Sequence, residues 1–394
     1  MAVTITNSPQ DYTTASNPVV FEFSSTQTAQ TNFSFVVELQ VNGAVHSYHQ
    51  VFPESANFGK FDCSAILRTI VYSELVSDGT LDTAYTNAIA TYKVRVIDKY
   101  GTPPVEIDAG TESSTFTVTN GSLRHADWID YDYTVYDLNS VQDCLFLTLF
   151  PRTSKYFCGL DESMFVGSLM TNAQVSELNV ILYDVTGATI ASSLTNTLVA
   201  AYMLVTDVSP TSIVANTSIT DANFSTCYYY EVQVQHNLAA TEAFKIYIDT
   251  ECSQYTSRRL HWLNKLGVWE SYSFTKYSEE SSRIKTFDYQ KNQGVWSDTN
   301  TFDYGLVNGS SFSGTKSVTD TMKVNTDWIK EEKHNWLMRS LLESPSVYLE
   351  ITQGVFEPVR VSTNKYTLKQ KIKEGLIQEE LTLSRTYSYT SQLS

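Results

Sequence analysis

Side-chain alternation constrains this chain more than any other feature of its sequence. In "FSFVVELQV" the apolar residues recur at every second position, as they do in "PVVFEF", and a period of two is the spacing of strands with one buried face. Asn42-Gly43 then supplies the two positive-φ residues that a two-residue hairpin needs, and "HSYHQVF" predicts the returning strand. With "ATYKVRVID" and "STFTVTNG", the spacing predicts an Ig/FN3-like antiparallel β-sandwich over residues 1–120.

The same alternation returns in the middle of the chain. The runs "LNVILYDVTGATI", "AYMLVTDV", "CYYYEVQVQ" and "FKIYID" are separated by Gly, Asn, Ser and Pro. They predict a second sandwich over residues 160–252, and residues 121–159 read as a strand-rich connector. The sequence therefore predicts a mainly β protein that ends in a different kind of region.

Residues 253–394 predict an α+β region with β-hairpins and one main helix. The helix is "TDWIKEEKHNWLMRSLLESP", which Thr326 or Asp327 would cap and Pro345 would stop. In "LHWLNKLGVWESYSF", Trp262, Leu266 and Trp269 have helical spacing, whereas the last residues alternate. We expect a short helical turn that ends near Gly267, followed by a strand.

Charge narrows the choice of partners. The chain carries 27 Lys+Arg and 43 Asp+Glu, and a net charge of −16 repels nucleic-acid phosphates, so no nucleic-acid ligand is expected. Residues 253–394 hold 18 basic and 16 acidic residues, net +2, which leaves net −18 for residues 1–252. We expect solvent around the acidic part and protein neighbours around the balanced part. No apolar run is long enough to span a bilayer, so no membrane span is expected.

Motifs that carry chemistry are missing from the sequence. Asp130 and Asp132 have calcium-loop spacing, but the later positions of such a loop are Val135 and Val141. There is no nucleophile elbow, no phosphate-binding loop and no dinucleotide fingerprint. We therefore expect no catalytic, metal-binding or cofactor-binding residues and a protein that is not an enzyme.

Five motifs in one order give a resemblance to a known group. They are "NPVVFEFSSTQTAQTNFSFVVELQVNG", "GKFDCSAILRTIV", "LFPRTSKYF", "LHWLNKLGVWESYSF" and "NWLMRSLLESPSVYLE". Together they resemble a loosely characterised group of virion proteins from tailed phages and prophages of Bacteroidetes hosts, including crAss-like phages. The resemblance implies a structural or host-contacting part of the tail, neck or collar, made in the host cytoplasm and carried in the virion.

These observations combine into one functional hypothesis and one alternative. The hypothesis is a structural virion protein that forms a ring-like homo-oligomer and contacts other phage virion proteins of the tail, neck or portal region. Its contacts are expected in the aromatic and arginine-containing part of the C-terminal region, at Arg258, Arg259, Leu260, Trp262, Leu266, Trp269 and Trp336. These side chains would pack either inward or against a neighbour. The alternative is a glycan-binding adhesin or a fibre-like receptor-binding protein that contacts the host surface, since an exposed aromatic stripe can stack on pyranose rings.

Overall fold

A computed structural model describes residues 3–54, 57–75, 80–139, 143–196, 201–236, 239–249, 254–303, 309–363, 365–367 and 375–392. The protein is mainly β, as the sequence predicts. The chain divides into two compact units. The first unit comprises Met1–Thr250, Trp262–Ser271 and Thr352–Gly354, and the second comprises Glu251–His261, Tyr272–Ile351 and Val355–Ser394.

The N-terminal half of the first unit consists of two sheets around one core. The strands in this part of the chain are β1 (Val3–Asn7), β2 (Tyr12–Thr14), β3 (Val20–Ser25), β4 (Ser34–Val41), β5 (Ala44–Val51), β6 (Phe58–Asp62), β7 (Asp82–Ala84), β8 (Ile89–Gly101), β9 (Pro104–Glu106), β10 (Thr111–Glu112) and β11 (Phe116–Thr119). All of them except β7 belong to these two sheets. One sheet has the order β1-β3-β6 and the other β2-β11-β8-β4-β5, with β9 and β10 paired to β8. Phe21 and Phe23 of the first sheet share a core with Phe35 and Tyr92 of the second.

The predicted hairpin at Asn42-Gly43 is confirmed. Both residues have positive φ, 49° and 80°, and Val41 pairs with Ala44. The helix of this half, α1 (Ser64–Leu67), is one turn long, and it is followed by α2 (His125–Ile129).

The buried carboxylates of this half include Glu38 and Asp98. Glu38 pairs across the strands with Arg95; burial raises the pKa of its carboxyl, but hydrogen bonds from Gln40 and Arg95 outweigh burial and hold the pKa below its ordinary value. Asp98 accepts a hydrogen bond of 2.7 Å from Ser25, yet its burial dominates and raises the pKa of its carboxyl. Nearly every residue of β4 is buried, so both faces of this strand are covered, whereas its alternation predicts one buried face.

The second half of the first unit is also built from two sheets. Its strands are β12 (Tyr156–Cys158), β13 (Phe165–Gln174), β14 (Glu177–Tyr183), β15 (Thr189–Asn196), β16 (Ala201–Asp207), β17 (Tyr229–His236), β18 (Ala239–Ala240) and β19 (Phe244–Ile248), with helices α3 (Pro210–Asn216) and α4 (Asp221–Phe224). One sheet has the order β12-β19-β17-β14-β15, with β18 paired to β17, and the other has the order β13-β16-β7. Strand β7 comes from residues 1–120, so strands are exchanged across the predicted domain boundary. The four-segment division itself stays a prediction.

The remaining strands include one long sheet. They are β20 (Arg258–Leu263), β21 (Trp269–Phe274), β22 (Ser278–Gln290), β23 (Val295–Trp296), β24 (Phe302–Asp303), β25 (Ser311–Asn325), β26 (Ile329–Lys330), β27 (Val347–Thr352), β28 (Val355–Val361), β29 (Leu376–Ile377) and β30 (Glu380–Thr390). The long sheet has the order β21-β20-β27-β28-β30-β25-β22, and β23 pairs with β24.

The main helix of the second unit, α5 (Glu331–Leu341), begins later than predicted. Neither Thr326 nor Asp327 caps it, because Ile329 and Lys330 form a strand paired with β29 and Lys330 takes the N-cap position. The predicted apolar face is present, since Trp336, Leu337 and Leu341 are all buried.

Candidate functional site

The segment "LHWLNKLGVWESYSF" forms a β-hairpin, and the helical turn predicted for it is wrong. Its two strands, β20 and β21, are hydrogen-bonded neighbours, and the Asn264 amide donates to the Val268 carbonyl across the turn (2.8 Å). The Asn264 side chain accepts from the amides of Leu266 (2.9 Å) and Val268 (3.1 Å), which satisfies turn groups that a helix would otherwise bond internally. Gly267 closes the turn at φ +88°.

The structure places six of the seven predicted contact residues in the interior of the single chain. Leu260 and Trp262 are fully buried, and Arg259, Leu266, Trp269 and Trp336 are each at most 6% exposed. Arg258 is the exception, with a side chain 27% exposed. Of the two alternatives for these side chains, the structure favours packing inward. Their role in assembly stays a prediction.

The turn of the hairpin is held by a buried carboxylate in the first unit. One Glu270 oxygen accepts from the Thr148 hydroxyl (2.5 Å), the Leu149 amide (3.3 Å) and the Asn264 side-chain amide (3.2 Å). A cavity of about 20 Å³ beside it, lined by Phe146 among others, has room for about one water molecule. This cavity is too small for a sugar or a cofactor, so Glu270 serves to hold the turn.

A second buried charge cluster lies in the second unit. Glu350 accepts from His261 Nε2 at 3.0 Å and lies 3.9 Å from Arg259 Nε, and Arg259 donates to the Ser273 hydroxyl at 2.6 Å. A His–Glu pair has the composition of an acid–base pair. Arg259, His261 and Glu350 are buried, which closes them to a substrate from solvent, and the contacts between them offset the cost of burying charged groups inside the sheet.

Arg258 belongs to an ion-pair network at the surface of the same unit. Its guanidinium lies 3.0 Å from Glu280, and Arg385 bridges Glu280 (4.0 Å) to Glu357 (3.1 Å). Arg258 is thus already paired within its own chain, and each such exposed pair contributes at most about 1 kcal/mol.

An exposed apolar surface of the second unit lies outside the predicted contact residues. We call residues 281–290, 311–321 and 386–390, from β22, β25 and β30, the arm. Ile284 of β22 pairs with Val318 of β25, and Val318 pairs with Tyr389 of β30, so the three side chains form an apolar strip across the arm. Ile284 is 59% and Tyr389 63% exposed. The sequence gives a weak signal for this strip, because single apolar residues stand between Ser, Thr and charged residues.

Exposed aromatic residues bear on the glycan alternative. Trp269 is buried and cannot stack on a sugar, whereas Trp296 is 67% exposed and lies 5.1 Å from the ring of Phe302. In the described residues, no group of three or more His, Cys, Asp and Glu side chains could hold a metal ion. No helix among those residues is long and apolar enough to cross a membrane.

Comparisons with known proteins add little to this geometry. No protein-family model matches the chain. No curated protein matches it. Among solved structures it is similar to a membrane-anchored protein from Corynebacterium diphtheriae, with 8% identity and a TM-score of 0.22, over 64% of this chain. The match spans 59% of that protein, and a TM-score this low supports no statement about the fold or function of this chain.

Proposed function

We propose that this protein is a structural component of a tailed-phage virion, which assembles through the arm of its second unit. The single observation that carries the proposal is the exposure of the arm. Nearly every residue of β22 is exposed, so both faces of this strand are open, and it lies at the edge of its sheet. Exposed apolar strips and open strand edges are the surfaces that proteins use for association.

The apolar side chains of the arm can supply the free energy of such a contact. Phe287 is 68% exposed in addition to the strip of Ile284, Val318 and Tyr389. Burying one such side chain against a neighbour gains about 1.5–3 kcal/mol. Three or four of them are sufficient for a contact between subunits that are repeated many times in a particle.

Charge supports the same placement. Residues 253–394 carry net +2, whereas residues 1–252 carry net −18, so copies that meet through the C-terminal region avoid most of the like-charge repulsion. In a ring-like homo-oligomer each arm would contact a different surface of the next copy, and the rotation would close the ring. Contacts with tail, neck or portal-associated proteins would use the same region.

The first unit would then be the part of the chain that does not take part in assembly. We interpret its two pairs of sheets as two Ig/FN3-like sandwiches, joined by the exchanged strand β7. A second function, binding of host-surface glycans, is compatible with this arrangement, because a virion component can both assemble and contact the host. Exposed aromatic residues, and not the buried Trp269, would serve that function.

The proposal is tested by the oligomeric state of the purified chain. We expect an oligomer in size-exclusion chromatography with light scattering, and a double Ile284→Asp, Tyr389→Asp variant that stays folded but is monomeric. Val185→Asp is the matched control, since Val185 is 76% exposed on a turn of the first unit. A wild-type chain that remains monomeric, and is missing from purified particles by mass spectrometry, would refute the proposal.

A further inference from the structure

Four aromatic residues form a row across the larger sheet of the second half of the first unit. Phe157 of β12 pairs directly with Tyr247 of β19, Tyr247 with Tyr229 of β17, and Tyr229 with Tyr183 of β14. Their ring centroids are 5.8, 5.6 and 4.8 Å apart in that order. We call these four residues the aromatic row. It crosses four adjacent strands at right angles to the chain direction.

The row lies on the solvent side of its sheet. The neighbours of its members along the strands, such as Cys158, Ile246 and Tyr230, are buried, and alternation turns the row outward. Phe157 is 40% exposed, and Tyr228, which meets Tyr229 and Tyr247 edge-on at 77° and 84°, is 37% exposed. Tyr183, Tyr229 and Tyr247 are half-buried, so the row is partly open to solvent, and Phe157 and Tyr228 are its most exposed rings.

Half of the basic residues in this part of the chain lie beside the row. Residues 121–250 contain four Lys and Arg residues against 14 Asp and Glu, yet two of those four lie over the row. The Lys155 ammonium is 4.5 Å from the ring centroid of Tyr247, and that of Lys245 is 4.2 Å from that of Tyr229. Glu231 lies 3.2 Å from Lys245. Hydrogen-bond donors and an acceptor thus stand beside apolar rings.

We propose that the aromatic row and Tyr228 bind a neutral glycan chain that runs across the strands. Adjacent strands are about 4.8 Å apart, close to the length of one pyranose unit in an extended glycan. Each sugar can therefore meet one aromatic side chain, with its C–H groups against the exposed parts of the rings. Its hydroxyls bond to Lys155, Lys245 and Glu231, which act as both donors and acceptor.

The negative charge of the chain favours neutral glycans over acidic ones. The chain carries net −16, and residues 121–250 alone carry net −10, so an acidic polymer is repelled before it reaches the two lysines. Aromatic rings in register also stabilise a sheet through cross-strand contacts. That role accounts for the pairing, but it does not account for the partial exposure of the row or for two of four basic residues beside it. The inference does not depend on assembly through the arm.

The test is a glycan array followed by titration with the soluble neutral polysaccharides that bind, using the full-length chain. We expect Phe157→Ala and Tyr228→Ala, the two most exposed positions, to weaken binding at least tenfold while each variant stays folded and its midpoint of thermal unfolding falls by no more than about 4 °C. Tyr229→Phe keeps the ring and should retain most of the binding. Tyr48→Ala is the matched control, because Tyr48 is 62% exposed on another sheet.

Four outcomes would overturn the inference. One is a wild-type chain that binds no neutral glycan at millimolar sugar. Another is binding that survives both alanine substitutions. A third is binding confined to acidic polymers and lost in high salt, which would indicate the lysines alone. The fourth is loss of binding in Trp296→Ala instead, which would move the site to the second unit. Binding to neutral glycans that is insensitive to salt and lost in both alanine variants would establish the site.

Discussion

We call the hairpin of β20 and β21 the central hairpin. Its turn depends on Gly267, and replacing this residue with alanine tests how closely the turn is packed. Gly267 has φ +88°, and a Cβ added to it would lie 2.1 Å from the carbonyl oxygen of Asn120. Ordinary contact begins near 3.4 Å, so either the turn or the backbone at Asn120 must move by more than an ångström. The Ser73 hydroxyl donates to the Gly267 carbonyl at 2.7 Å, and the Ser122 amide donates to the Lys265 carbonyl at 2.8 Å.

The cost of Gly267→Ala has two parts. A non-glycine residue in the left-handed region costs about 1–2 kcal/mol. Relieving the clash separates the turn from its partners, and each of the two hydrogen bonds lost contributes about 0.5–1.5 kcal/mol. The free energy of unfolding should therefore fall by about 2–5 kcal/mol. Asn264 retains its bonds within the turn, so we expect a displaced hairpin and not a lost one.

The Gly43→Ala variant separates the conformational cost from the cost of the clash. Gly43 has φ +80°, almost the same backbone conformation, but nothing lies within 4 Å of an added Cβ. This variant should lose only the conformational part, about 1–2 kcal/mol. Thermal unfolding and amide hydrogen exchange of the two variants, measured side by side, give the difference. If Gly267→Ala is no less stable than Gly43→Ala, the close approach of the turn to Asn120 is wrong.

Three further substitutions test buried groups. Asp98→Asn should raise the thermal midpoint at pH 7, because burial raises the pKa of the Asp98 carboxyl and its ionisation therefore disfavours the folded state. This gain should vanish below about pH 4, because there the carboxyl is protonated in both the folded and the unfolded chain. Arg95→Met should cost about 1–3 kcal/mol at pH 7 by leaving Glu38 uncompensated. This cost should shrink as pH falls, because a lowered carboxyl pKa stabilises only above the unfolded pKa. Trp262→Ala should cost about 3–5 kcal/mol in denaturant unfolding, whereas the exposed Trp296→Ala should cost less than about 0.5 kcal/mol. Equal costs for the two tryptophans, or opposite pH trends, would contradict these assignments.

Local chemistry explains which parts of the fold could be predicted. The hairpin at Asn42-Gly43 is specified by two adjacent residues that tolerate positive φ, and the apolar face of α5 by side chains a turn apart. The start of α5 differs from its prediction because Ile329 pairs with Ile377, a partner 48 positions away. Strand β7 escapes sequence reasoning for the same reason, since its partners in β16 lie about 120 residues further along the chain.

The spacing of Trp262, Leu266 and Trp269 shows why the central hairpin resembles a helix in the sequence. In two strands joined by a turn of five residues, the buried apolar residues fall at sequence intervals that coincide with those of a helix. The deciding contacts are the bonds from the Asn264 side chain to the turn, and its own anchors at Leu147 and Glu270. Leu147 lies 117 residues away in the sequence, so no local pattern shows that anchor.

Burial also explains why the most hydrophobic segment of the chain is not its most exposed one. A dense group of tryptophans and leucines, as in residues 260–269, removes the most apolar area from water when it packs inside its own chain, and it does so here. Single aromatic or aliphatic residues in polar strands, such as Ile284 and Tyr389, have no such cluster to join and stay exposed. The row from Phe157 to Tyr183 becomes one surface only because the register of four strands aligns it. The contact surfaces that we propose for this chain therefore lie on well-paired strands, outside its most hydrophobic segment.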